Sequence, residues 1–151
     1  QRAGLLHSNG RITFPSDACC ELDQSLNYYV VIEHRNHLIV MSHESVAIID
    51  GKISYDFRNK QSYLKDIFGT SVAQKQVTTG TFAMYAGNGA QSEDLNDDVD
   101  INAADGTKQA DNGSEVGVFR LVDYNMDGDV STLDFELWQR NSPQFTSVKR
   151  E

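Results

Sequence analysis

The chain has 151 residues, 39% of them hydrophobic, a length that fits one domain or two small ones. Its formal net charge is −9, with 13 Lys and Arg against 22 Asp and Glu, so it lacks the basic clusters that nucleic-acid phosphates require. No apolar run reaches the roughly eighteen residues of a membrane-spanning helix. The charge is also unevenly placed. Residues 1–85 carry 8 basic and 8 acidic side chains, whereas residues 86–151 carry 5 basic and 14 acidic ones. A boundary is therefore expected near residue 85, with a neutral part before it and a strongly acidic part after it.

The opening Gln1-Arg2-Ala3-Gly4-Leu5-Leu6 lacks the apolar core of a signal peptide. Residues 3–6 and 11–14 read as short strands around the turn signal Asn9-Gly10. Cys19 and Cys20 are the only cysteines and are adjacent, so a bond between them would close a strained ring. Two readings stay open: packed thiols in a loop or strand end, and an intermolecular disulfide. Residues 27–34 are β-branched and aromatic, long enough for a central strand, and the polar turn Arg35-Asn36 joins them to a partner at His37–Met41. Residues 45–49 form a third candidate, ended by Asp50-Gly51, and residues 52–57 alternate apolar and polar as a fourth. Residues 59–76 are polar and mixed, with a short helix expected over 63–68, and residues 80–85 offer another strand. Several short strands separated by turns predict a small β-sandwich over residues 1–85.

His34, His37 and His43 lie within ten residues of one another, in the spacing H-x-x-H-x5-H. No cysteine or carboxylate motif completes a zinc set, so hydrogen-bonded histidines flanking a hairpin turn are expected instead. The serines at 8, 16, 25, 42 and 45 have no nucleophile elbow around them. Trp138 and the tyrosines at 28, 29 and 124 are expected in the core and at interfaces rather than stacked on sugars. The chain is not expected to be an enzyme.

The strongest signal is a twelve-residue pattern, D-x-N-x-D-x-D-I/V-N/S-x-x-D, that occurs at 94–105 and again 29 positions later at 123–134. It has the oxygen spacing of a calcium loop: side chains at positions one, three and five, a carbonyl at seven and a carboxylate at twelve. The first loop offers Asp94, Asn96, Asp98 and Asp105, with the Asp100 carbonyl and Asn102. The second offers Asp123, Asn125, Asp127 and Asp134, with the Asp129 carbonyl and Ser131. Nine of the 14 acids after residue 85 fall inside these loops, and bound calcium would relieve their mutual repulsion. Two Ca2+ sites are expected, the second stronger, because Gly128 fills the sharp sixth position where the first loop has Val99. Ile101 and Val130 at position eight are expected to pair in a short β-contact between the loops. A helix is expected over 132–140, stopped by Pro143, whereas the sequence after Asp105 is nearly devoid of apolar residues and predicts a shorter one.

These loops resemble those of dockerin modules, whose calcium loops end in Asp where EF-hands have Glu; the resemblance covers residues 87–143. It implies a small α-helical module at 86–151 with two loop–helix units, and it brings cohesin-type protein partners into view. Positions ten and eleven, on which dockerin recognition depends, are Ala103-Ala104 in one copy and Thr132-Leu133 in the other, so a two-fold symmetric binding face is not expected. A second resemblance spans nearly the whole chain. The stretch 28–38 with Met41-Ser42, then Tyr55-Asp56-Phe57, then 82–87, looks like a β-rich segment near the C-termini of large secreted bacterial proteins, where it leads into paired dockerin-like loops. Such relatives carry further strand sequence before the segment matching residues 3–6, which implies an unpaired sheet edge here.

Together these features predict an extracellular or cell-surface calcium-binding protein with a structural or adhesive role, as a subunit that self-associates into a surface layer or filament through its sheet edge. The alternatives are a dockerin-type binding module that anchors a secreted enzyme to a protein partner, and a carbohydrate-binding accessory domain.

Overall fold

The computed structural model describes residues 5–6, 12–13, 22–59, 62–63, 74–89, 99–117 and 119–145. Their strands form three two-stranded antiparallel sheets, followed by two helices. β1 (Leu5–Leu6) pairs with β2 (Ile12–Thr13). β3 (Val31–His34) pairs with β4 (His37–Met41) across Arg35-Asn36, with an irregularity between Ile32 and His34. β5 (Lys75–Thr78) pairs with β6 (Thr81–Ala83) across a turn in which Gly80 takes φ +74°, a backbone region that favours glycine. The Asn9-Gly10 turn, both cysteines and most of the helix expected over 63–68 lie outside the described residues.

The central strand is β4, not β3. Leu38, Ile39 and Val40 are consecutive and all buried, so both faces of β4 are covered. Each such side chain contributes about 1.5–3 kcal/mol relative to exposure. Neighbours flank both edges of β4: β3 on one side, and on the other Tyr85, whose carbonyl accepts from Leu38 N–H at 2.9 Å, and Ala86, which bridges His37. β3 keeps only four of the eight residues expected for it, and Val31 and Ile32 stay exposed. Upstream of it, Tyr28 exchanges both backbone hydrogen bonds with Val46 at 2.8 Å.

The strands expected at 45–49 and 52–57 reduce to isolated bridges. Asp50 and Gly51 take φ +50° and +71°, the two positive values of a tight hairpin turn, and Ile49 and Lys52 exchange both backbone bonds at 3.0 Å. Pairing stops there, with Ile49 exposed. Further on, the Asp56 carboxylate accepts from the Arg58 backbone N–H and guanidinium and from the Asn59 amide, folding the chain into a turn where the alternating pattern predicted extension.

The acidic part is built on α1 (Ala103–Asp111) and α2 (Thr132–Asn141). Both start in a capping box: Asn102 and Ser131 cap the first turns, and Asp105 and Asp134 return the bond to the capping residue's N–H. α1 has nine residues against ten in α2, longer than its poor apolar content predicts. Its length comes from packing. Gly106 lies against the Trp138 ring so closely that a Cβ there would sit 2.4 Å from Cζ2. The buried Gln109 side chain donates to the Ser131 carbonyl at 3.0 Å, and Trp138 Nε1–H donates to the Asn102 carbonyl at 2.8 Å.

Those two bonds are equivalent under the 29-residue repeat, and so are two others. Ile101 N–H donates to the Gln144 carbonyl and Val130 N–H to the Glu115 carbonyl, each at 2.7 Å. The eighth position of each loop thus pairs with the segment leaving the other unit's helix, in place of the expected Ile101–Val130 contact. A cluster of Ala86, Val122, Tyr124 and Val130, with Leu137 and Trp138 packed against it, ties the strand region to the helices. Tyr124 is buried and its hydroxyl donates to the Asp105 carbonyl at 3.2 Å.

Gly106→Ala is expected to lower the melting temperature, although alanine favours a helix by about 1 kcal/mol. A methyl must displace a ring that the Asn102 carbonyl holds, at an overpacking cost of about 1–3 kcal/mol. Thermal unfolding of the variant checks this; an unchanged or raised midpoint would show that the two helices have slack between them.

Candidate metal centre

The second loop is described in full. Asn125 Oδ1 accepts from Asp127 N–H and Asp127 Oδ1 from Asp129 N–H, both at 2.9 Å. This alternation is the repeated side-chain-to-backbone turn of an Asp/Asn-rich loop. Met126 and Gly128 take φ +62° and +93°, and the second value accounts for glycine at the sixth position. Asp123 is fully buried. Its Oδ2 accepts from Gly128 N–H at 3.2 Å, while its Oδ1 is buried without a hydrogen-bond partner. Asp134, at position twelve, is also fully buried: Oδ1 accepts from Tyr124 and Asn125 N–H at 2.8 and 3.1 Å, and Oδ2 from Ser131 N–H at 2.8 Å. Asp129 is half-buried and accepts from Gly117 N–H at 2.9 Å.

Only the later half of the first loop is described; Asp94, Asn96 and Asp98 lie outside it. Asp100 accepts from the Asn102 side chain at 2.8 Å, and Asn102 caps α1. Asp105 is buried and its Oδ2 accepts from Asn102 N–H at 2.8 Å, matching Asp134 and Ser131. Its Oδ1 accepts from Gly89 N–H at 2.8 Å, a bond that reaches outside the loop. Gly89 is required there, because a Cβ would lie 2.7 Å from the Tyr124 hydroxyl.

The donors of the second loop are all oxygens, which suits a hard cation. A carboxylate oxygen buried without a donor is costly, and Asp123 Oδ1 meets that cost unless a cation satisfies it. Asn125 Oδ1 and Asp127 Oδ1 each accept one N–H and keep a second lone-pair site. These residues fit calcium. Among the described residues, however, no three His, Cys, Asp or Glu side chains already converge as a metal-holding group. A cation held at Asp123 Oδ1 would need Asp127 and Asp134 drawn toward it.

The sequence did not reveal what stands behind Asp123. Asn36, in a turn that a polar pattern places in water, is fully buried. Its side chain donates to the Asp123 carbonyl at 2.6 Å, and its own carbonyl accepts from Gly87 and Asn88 N–H at 3.1 and 3.2 Å. The Arg35 guanidinium lies 3.8 Å from Asp123 Oδ2. His37 Nδ1 is 2.8 Å from Asn36 Oδ1, and because the Asn36 amide nitrogen is spent on Asp123, the imidazole is the donor. Burial, then the neighbouring His34 and Arg35, lower the His37 pKa to about 4, so its ring stays neutral near pH 7. His34 and His37 meet edge to face at 4.5 Å. No family model matches the chain, nor does any curated protein or solved structure.

Asp134→Ala removes the acceptor of three backbone N–H groups, Tyr124, Asn125 and Ser131, whereas Asp129→Ala removes that of one, Gly117. Expected losses are about 3 and about 1 kcal/mol, since partly buried donors regain some water. Urea unfolding in metal-free buffer measures both. A milder loss for Asp134→Ala would contradict the hydrogen-bond account of the second loop.

Proposed function

We propose that the chain is a calcium-stabilised structural region of an extracellular or cell-surface protein, a small β-sandwich carrying a dockerin-like double loop. Its work is mechanical rather than catalytic: calcium locks the acidic part and fixes it against the strands. The observation that carries this reading is Asp123 Oδ1, a buried carboxylate oxygen with no hydrogen-bond partner at the first position of a calcium-spaced loop. The concentration of 14 acids after residue 85 supports it, because a divalent cation offsets repulsion that backbone N–H groups answer only in part. Since Asp127 and Asp134 must move to complete the site, affinity is expected near the weak end, about 10⁻⁴–10⁻³ M, the range of extracellular modules.

Calcium at a hundredfold excess over Kd is expected to stabilise the protein by about 2.7 kcal/mol. Scanning calorimetry of metal-free protein, with and without added calcium, tests this. An unchanged midpoint at ten millimolar calcium, on the order of ten times the weakest affinity in that range, would rule the reading out.

Self-association is favoured by one observation. β3 is the outer strand of its sheet among the described residues, and Tyr29, Val31 and Ile32 on and beside it are exposed. A second copy adding a strand there would cover them. Sedimentation velocity is expected to show concentration-dependent association of the wild type that Ile32→Lys abolishes. A wild type that stays monomeric over the accessible range would remove assembly from the proposed role.

A further inference from the structure

We propose that Arg35 is a built-in counter-ion of the second loop: it neutralises Asp123 from the β3–β4 turn and sets the loop's calcium affinity by opposing the incoming dication. The inference rests on the calcium reading of that loop and adds a residue that lies 88 positions upstream of Asp123. Contacts to the loop help hold the guanidinium in place. Nη2 is 3.8 Å from Asp123 Oδ2, Nη1 donates to the Phe119 carbonyl at 3.4 Å, and Cζ lies 5.5 Å over the Phe119 ring. Phe119 in turn borders the sharp turn of the loop, its ring 3.8 Å from where a Cβ on Gly128 would stand. Arg35 is therefore aimed at the first ligand by the walls of the loop itself. Asn36 anchors the turn that carries it, through the buried 2.6 Å bond to the Asp123 carbonyl.

The two oxygens of Asp123 then have different partners. Oδ2 faces Arg35 and Gly128 N–H, and Oδ1 is left for a cation. A divalent ion held at Oδ1 would share one carboxylate with that positive charge, in surroundings where Asp123 is fully buried and the Arg35 side chain is 34% exposed. Repulsion between the two weakens binding. The same charge stabilises the protein without calcium, because it partly neutralises a buried carboxylate. Arg35 thus narrows the stability gap between the calcium-free and calcium-bound forms. A residue that merely packs the turn would shift both forms in one direction; a counter-ion shifts calcium affinity and calcium-free stability in opposite directions.

The test uses the full chain with Arg35→Met, which keeps most of the stem and drops the charge. Arg35→Gln keeps a donor for the Phe119 carbonyl and guards against a folding defect, and Arg35→Lys retains the charge. Calcium chloride is titrated calorimetrically into each, and melting is recorded without calcium. The expected result is calcium affinity roughly three- to tenfold tighter for Arg35→Met and Arg35→Gln, with lower calcium-free melting temperatures. Arg35→Lys should stay within about twofold of wild type, and the differences should shrink in high salt. If the wild type binds calcium and both neutral variants bind equally or more weakly, the counter-ion role is wrong while the calcium site stands. If the wild type itself binds none at millimolar calcium, the calcium reading fails and this inference fails with it.

Discussion

Each loop–helix unit in the acidic half completes the other. The ninth-position carbonyls of the two loops, Asn102 and Ser131, accept from Trp138 and Gln109, side chains at equivalent positions on the opposite helices. The eighth-position N–H groups, Ile101 and Val130, donate to Gln144 and Glu115, at equivalent places beyond those helices. Each loop thus rests in part on the other unit, so neither unit is expected to fold alone. This exchange explains why a helix as polar as α1 persists: its residues answer for the second loop, and Gly106 lets the Trp138 ring approach closely enough to answer for the first.

Among the described residues, the strand region joins this pair mainly through residues 86–89. Gly87 packs against Ile101 and the Trp138 backbone, with a virtual Cβ 3.2 Å from Ile101 and 3.3 Å from Trp138 Cα, and Asn141 donates to the Ala86 carbonyl at 2.7 Å. On the other side Asn36 links the Asp123 carbonyl to Gly87 and Asn88. Residues 86–89 are therefore shared: they border β4, Asp105 and the core of the helices at once. Lys75 reaches Asn141 at 3.1 Å and adds a second tie from β5 to the end of α2. The boundary that charge places near residue 85 marks a change of composition, while packing runs straight across it. Buried polar groups such as Asn36, Asn88, Asp123 and Asn141 fix one relative placement, since moving them apart strands donors and acceptors.

What was legible in the sequence was local. The Asp50-Gly51 turn, the β3–β4 hairpin and the presence of a helix after each twelve-residue pattern all depend on residues within a few positions of each other. What was not legible depends on distant partners. Residues 27–34 outscore His37–Met41 as a strand by β-branched and aromatic content, yet β4 is central because Tyr85 and Ala86 cover its far edge. β5, read as Lys-Gln-Val-Thr, carries too little apolar content to be seen without its partner β6. The full length of α1 and the burial of Asn36 arise from residues 22 to 87 positions away. The acidic repeat was plain, but Arg35, Asn36 and Gly89, which contact it, bear no mark of that place in sequence.

The most direct measurement is a calcium titration followed at the Gly128 amide by two-dimensional nitrogen–proton NMR. That N–H donates to Asp123 Oδ2 at 3.2 Å, so a cation bound at Oδ1 polarises the carboxylate and shifts the resonance. A saturable shift of the Gly128 resonance, lost in Asp123→Ala, is the predicted result. A Gly128 resonance that stays in place through millimolar calcium would contradict a calcium centre in the second loop.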